Sequence, residues 1–396
     1  MMLPTQPPRR MTTERRSKLD RLHTEQFAAE LFEDDLHVKR VESLANGVTG
    51  VLRAAALSVH AIGEAYSEVA RTKPRYGVKQ VDRFLSNRAI DVAKLTPSWA
   101  AFVIGARKEI VVALDWTEFE KDDHSTLCAY LVTKHGRATP LTWMTVKKST
   151  LEGKRGEHET RLIERLQTSI RDDVSVTLLA DRGFADQKLY AYLGLLGWDY
   201  VIRFRGGILV EDAGGTQRPA EQWVPKTGRA TMLRGVRVTQ DRAEVPAVVV
   251  VHAARMKEPW CLATSLADKT ASEVVKLYGK RFTIEETFRD AKDIRFGMGL
   301  SATHIRDAGR RDRLLLLAAI AHALLTLLGA ASEATGMDSY LKVNTSKERT
   351  HSLFRQGAYW YGAIPHMRDD WLRNLMEAFD KIVSEHAVFR DIYAVI

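Results

Sequence analysis

At 396 residues the chain is long enough for two or three domains with a substantial core, and its 45% apolar and 28% charged residues are ordinary globular values. A formal charge of +9 and a pI near 9.4 favour a polyanionic partner. Two cysteines, Cys128 and Cys261, lie far apart in apolar, strand-like runs; they exclude a zinc cluster or a disulfide scaffold and fit a reducing cytoplasm.

Residues 1–20 are rich in Pro, Thr and Arg and read as a disordered basic N-terminus. Arg9, Arg10, Arg15 and Arg16 have no apolar run behind them, so no signal peptide is expected. Helical spacing begins at about Leu22 and continues to Asp91, which defines an all-helical N-terminal domain over 21–105. Within it, Pro74 and Gly77 are read as a turn, and Val78, Val81, Phe84 and Leu85 as the apolar face of the helix that follows. Lys73, Arg75, Lys79, Arg83 and Arg88 decorate that turn and helix, an arrangement suited to a DNA major groove or to a merely solvated basic surface.

Glu109 to Phe119 (EIVVALDWTEF) is a β-branched apolar run with Asp115 near its end, and a carboxylate there is costly unless paired or metal-bound. Leu127–Thr133 and Pro140–Val146 supply two more strands of an antiparallel meander. A helix over Glu157–Gln167 leads to a strand, Val174–Ala180, ending in Asp181-Arg182-Gly183. A helix over Asp186–Leu196 and a strand over Asp199–Phe204 complete a parallel crossover. An acid at the carboxyl end of such a strand lies where open α/β sheets bind ligands, although capping a turn is an ordinary alternative for Asp181.

From about Gly206 to Glu258 the short β-rich stretches read as an antiparallel insertion, closed by Trp260 and a strand over Cys261–Ser265. Leu277 to Arg295 is then expected as one continuous helix. Tyr278, Arg281, Glu285 and Lys292 fall on one stripe of it, roughly 60° wide. Leu277, Ile284, Phe288 and Ala291 form the apolar stripe beside it, while Glu286 and Asp290 are expected to face solvent or DNA. An apolar segment, Leu314–Leu328, within Arg306–Leu328 reads as a buried core helix rather than a membrane span, and Trp371–Ala387 as a final amphipathic helix.

The element order is that of a ribonuclease-H-like fold: a mixed five-stranded sheet with flanking helices, interrupted by the β insertion. In that fold the ends of the first and fourth strands are neighbours, so Asp115 and Asp181 should converge, with Glu285 brought in by its helix. Three clustered carboxylates repel one another unless cations lie between them, and hard oxygen ligands suit Mg²⁺ or Mn²⁺. Two such ions, roughly 3.5–4 Å apart, clamp the attacking and leaving oxygens of an in-line phosphoryl displacement.

Tyr278-x2-Arg281-x3-Glu285-x6-Lys292 resembles the YREK signature of the transposases of the insertion sequence four family. The DWT context of Asp115 and the ADRGF context of Asp181 are similar to that family's two catalytic aspartate motifs, and the similarity covers about residues 70–330. The resemblance implies a catalytic core in two parts, 106–205 and 266–330, an insertion over 206–265 and a helical C-terminal region over 331–396. It implies cut-and-paste transposition: binding of terminal inverted repeats, 3′ nicking, hairpin formation and opening, and transfer of the freed 3′-OH to target DNA. Asp115, Asp181 and Glu285 would be the catalytic acids and metal ligands, holding two Mg²⁺ ions for which Mn²⁺ can substitute. Tyr278, Arg281 and Lys292 would contact phosphates near the transposon end, Trp260 would stack on a flipped base, and Arg182 would touch DNA or pair with a carboxylate. The partners implied are transposon-end and target DNA and a second protomer when the ends are paired, in a bacterial cytoplasm. Two other readings share these residues: a metal-dependent nuclease that does not join strands, and a DNA-binding repressor derived from such an enzyme.

Overall fold

The computed structural model describes residues 24–293, 297–343, 345–346 and 348–385. The basic N-terminus, the last two residues of the expected helix, Ile294 and Arg295, and the tail of the final one beyond residue 385 lie outside the described residues. The chain divides into two compact units, one of residues 1–98 with 289–395, the other of residues 99–288.

The first unit contains no strand among its described residues. After a helical segment over 24–32 come α1 (Val38–Ala54), α2 (Val59–Ala70) and α3 (Pro74–Ser86). Helix α4 (Val92–Ile104) runs out of this unit into the other. Pro74 opens α3 at its first turn, where the missing N–H costs nothing. Gly77 is not part of a turn: it is buried inside α3, where a Cβ would come within 2.1 Å of the Gly63 carbonyl oxygen of α2. The glycine is there for backbone-to-backbone approach, a need that looks like a turn signal in sequence. Later in the chain this unit has α9 (Ala308–Ala334), α10 (Leu353–Ala363) and α11 (Asp369–Glu385). Helix α9 is apolar and long enough to cross a membrane, but 94% of its most apolar window is buried within the protein.

The second unit is a large mixed sheet with flanking helices. Its first strands are β1 (Glu109–Phe119), β2 (His124–Leu131) and β3 (Thr139–Lys147). Helix α5 (Arg155–Gln167), β4 (Ser175–Ala180), α6 (Gln187–Leu195) and β5 (Asp199–Phe204) follow. The meander pairs antiparallel, β4 pairs parallel with both β1 and β5, and the order β3-β2-β1-β4-β5 is that of a ribonuclease-H-like core. The β-rich stretch gives β6 (Leu209–Glu211), β7 (Gln217–Pro219), β8 (Thr231–Val238), β9 (Ala243–Val251) and β10 (Trp260–Thr264). Here the five-stranded expectation needs correcting. β10 pairs antiparallel with β5, and one continuous ten-stranded sheet results, continuing β10-β9-β8-β6-β7. An exposed β5 edge would leave unpaired N–H and C=O groups, and β10 satisfies them.

The expected single helix is also broken. Helix α7 (Ala271–Gly279) starts with a capping box in which Thr270 and Glu273 satisfy each other's backbone N–H groups. It ends at Gly279, a poor helix former, and passes through a 3₁₀ turn over Lys280–Phe282 into α8 (Thr283–Lys292). Ile284 is fully buried, Phe288 meets the Tyr130 ring of β2 at 5.4 Å, and the Thr287 hydroxyl both donates to the Ala138 carbonyl and accepts from the Ala138 N–H. These contacts clamp α8 to the meander and fix where Glu285 stands.

Candidate active site

The strand register brings the two aspartates together. The parallel pairing of β1 with β4 ends at Leu114 opposite Ala180, so Asp115 and Asp181 are the next residues on two adjacent strand ends. One Asp115 oxygen accepts the Trp116 backbone N–H at 2.9 Å. Asp181 accepts the Gly183 N–H at 2.8 Å and so also caps the short 3₁₀ turn that follows it.

Glu285 reaches the same place through an intermediary. Arg281, on the 3₁₀ turn, donates from Nη1 to Asp115 at 3.1 Å and from Nη2 to Glu285 at 2.6 Å. The Arg281 side chain is 6% exposed, that of Asp115 17%, and that of Glu285 48%. Burial pushes the Asp115 carboxyl up to about 6; Arg281 opposes this, and the charges of Asp181 and Glu285 add to it. Burial works against the Arg281 charge, but Tyr278, Asp115 and Glu285 outweigh it and hold the guanidinium above its ordinary pKa. Among the described residues no three His, Cys, Asp or Glu side chains stand close enough together to hold a metal ion. The three acids thus share one electrostatic site, in which a guanidinium bridges Asp115 and Glu285.

Aromatic residues line one side. The Trp260 ring meets the buried Tyr278 edge-on at 5.0 Å and Phe282 at 5.9 Å, and the Arg281 guanidinium lies 4.8 Å over Phe282. Arg182 is exposed and pairs with Glu258 at 3.3 Å, and Arg203 donates to the same carboxylate at 2.7 Å. Of the two readings of Arg182, it therefore pairs with a carboxylate here. Lys292 closes α8 and falls in the other compact unit. In that unit Asp290 corrects its expected exposure: it is buried and its carboxylate accepts from Arg355 at 2.8 Å. Lys73, Arg75, Lys79, Arg83 and Arg88 are all exposed on or beside α3. Tyr76, 53% exposed, joins them, with the Arg75 guanidinium 4.9 Å over its ring.

Sequence reading missed Glu159. This α5 carboxylate is 7% exposed and accepts the indole N–H of Trp116 at 2.9 Å, while Arg155 lies 5.4 Å over the same indole. Burial raises the Glu159 pKa, and the charge of Asp181 is among the smaller contributions. In sequence Glu159 is one of several charges on an amphipathic helix; only the fold shows that it stands directly behind the residue after Asp115.

Residues 107–324, more than half of the chain, match the family described as the transposase DDE domain. The chain belongs to the DDE transposase family. The match starts just before β1 and runs past α8 into α9, so it contains both strand-end aspartates and the helix that carries Glu285. A comparison with curated protein sequences finds no match. The transposase therefore has a mixed α/β catalytic domain with flanking helices, and its partner is DNA.

Proposed function

We propose that this transposase cuts and joins DNA at Asp115, Asp181 and Glu285, by the chemistry of the insertion sequence four family and its fifth-transposon enzyme. The observation that supports this reading most strongly is the β1–β4 register, which sets Asp115 and Asp181 on neighbouring parallel strand ends, with Glu285 coupled to Asp115 through Arg281.

By donor type, though not by the spacing of the side chains in the metal-free arrangement, the set suits divalent magnesium. It consists entirely of hard carboxylate oxygens, and the buried Asp115 sits beside two like charges that a cation would balance. Asp115, Asp181 and Glu285 would hold two Mg²⁺ ions, with Mn²⁺ as substitute, and the ions when bound would activate the attacking oxygen and stabilise the leaving one. Tyr278, Arg281 and Lys292 hold phosphates of the transposon end in place. Trp260, already seated against Tyr278, offers a face for a flipped base, with stacking worth roughly 1–3 kcal/mol. Residues 21–105 read the terminal inverted repeat, using the exposed Lys73, Arg75, Lys79 and Arg83 for backbone phosphates. Arg182 joins that path once it leaves Glu258. In this reading 106–205 and 266–330 form the catalytic core around the strands of 206–265, and 331–396 is the C-terminal region. Two protomers pair the ends. Nicking frees a 3′-OH, a hairpin forms and is opened, and the 3′-OH attacks target DNA.

The test is incubation of the purified protein and Mg²⁺ with DNA carrying the element's own ends. Nicked, hairpin and joined products are expected from the wild type. Glu285→Gln should bind the ends but neither nick nor join them. A wild type that binds ends and yields no product would refute the enzymatic reading, cleavage without joining would leave a nuclease, and activity in the Gln variant would remove Glu285 from the site.

A further inference from the structure

Two of the oxygens that a divalent cation would use are already bonded to a guanidinium. Asp115 Oδ2 accepts from Arg281 Nη1 and Glu285 Oε1 accepts from Nη2, so one guanidinium spans two of the three acids. The contact is not a casual surface pair. The Arg281 side chain is 6% exposed, and a guanidinium keeps its charge at any working pH. A buried guanidinium bonded to these two oxygens competes, by charge and by space, with a cation that would bind them. The same guanidinium also lies 4.8 Å over the exposed Phe282 ring while it makes both bonds.

We propose that Arg281 is the resident counter-ion of the metal-free site, and that its displacement couples cation binding to DNA binding. This rests on the assignment of Asp115 and Glu285 as cation ligands. Without DNA, the guanidinium bridges the two carboxylates and offsets one of their two negative charges, and a cation must compete with it. A DNA phosphate beside the 3₁₀ turn offers the guanidinium an alternative anion. Once Arg281 swings to the phosphate, the carboxylate oxygens are free and cation affinity rises. By thermodynamic linkage the cation must strengthen DNA binding by the same factor. The device holds cleavage chemistry back until a DNA strand is in place.

The test is a titration of the full chain with Mn²⁺, read from the electron paramagnetic resonance signal of free Mn²⁺. It is run with and without a duplex carrying the element's terminal sequence, against a duplex-only blank. Without DNA, Arg281→Gln should bind Mn²⁺ more tightly than the wild type, by about fivefold or more, the low end of typical couplings between sites. Adding duplex should tighten Mn²⁺ binding to the wild type by a similar factor and to Arg281→Gln by much less. Arg281→Lys, which keeps the competing charge, should stay near the wild-type affinity. Equal or weaker Mn²⁺ binding by Arg281→Gln would overturn the proposal. So would a wild-type affinity that duplex leaves unchanged, a measurement that needs no variant to fold. Asp115→Asn separates the two levels of inference: if it keeps full Mn²⁺ binding, the ligand assignment itself has failed.

Discussion

Replacing Asp115 by Asn in metal-free protein should stabilise the fold while abolishing its chemistry. The Asp115 carboxyl moves from 3.8 to about 6 on folding, chiefly because β1 buries it, and its side chain is only 17% exposed. A shift of about two units at 1.36 kcal/mol per unit is about 3 kcal/mol. The folded state binds this proton more tightly than the unfolded chain, so the group favours folding below about pH 4. That contribution, about 3 kcal/mol in all, is lost as pH rises through about 6, whereas a side chain that stays neutral keeps it. Asparagine cannot ionise, but its single amide oxygen can keep only one of the two bonds that Oδ1 and Oδ2 accept, from the Trp116 N–H and from Arg281, and the lost bond offsets about 1 kcal/mol of the gain. In EDTA at pH 7.5, Asp115→Asn should therefore raise stability by about 1–2 kcal/mol, or roughly 2–8 °C in Tm for a unit of this size. Thermal melts followed by circular dichroism at pH 4 and pH 7.5 measure it, and the gap between variant and wild type should close at pH 4. Saturating Mg²⁺ should narrow it at pH 7.5 by stabilising the wild type alone. A variant no more stable than wild type at pH 7.5, or a gap of equal size at both pH values, would refute the argument.

Two further expectations concern the helical unit. A Cβ on Gly357 of α10 would come within 1.7 Å of the Leu325 carbonyl oxygen of α9, so Gly357→Ala should destabilise by about 2–4 kcal/mol in urea melts despite the better helix propensity of Ala. Gly362→Ala, on the same helix with nothing within 4 Å, should instead stabilise by about 0.5–1 kcal/mol. On α3, Lys79→Ala with Arg83→Ala should weaken duplex binding by a similar factor whatever the sequence, and flatten the log–log salt dependence by about two, one counterion per lost phosphate contact. An unchanged slope would remove these residues from the DNA path.

What could be read in the sequence follows from which interactions are periodic. Strands β1, β4 and β5 are apolar runs buried by their neighbours, so their extent and order were legible, and with them the pairing of Asp115 with Asp181. Helix α10 was not foreseen: its LFRQGAYWYGA mixes glycines and aromatics, and Gly357 makes sense only against the Leu325 carbonyl of another helix. The burial of Asp290 depends on Arg355, sixty-five residues away, and that of Glu159 on the Trp116 indole. No periodicity encodes such pairs, since each is set by contacts between distant segments.

The stripe of Tyr278, Arg281 and Glu285 shows both sides of this. Its spacing was legible because residues three and four apart on a helix share a face. The 3₁₀ turn that interrupts the helix leaves that spacing intact and places the Arg281 fork against β1 as well as Glu285. Read along one helix, Arg281 and Glu285 are an ordinary i,i+4 ion pair worth a few tenths of a kcal/mol on a solvated surface. Folded against Asp115, the same pair becomes a triad of one positive and two negative charges, from which Arg281 can be drawn by another anion. A DNA strand supplies such anions in a row, and for that reason the motif that suggests phosphate binding and the motif that suggests cation binding meet in one residue.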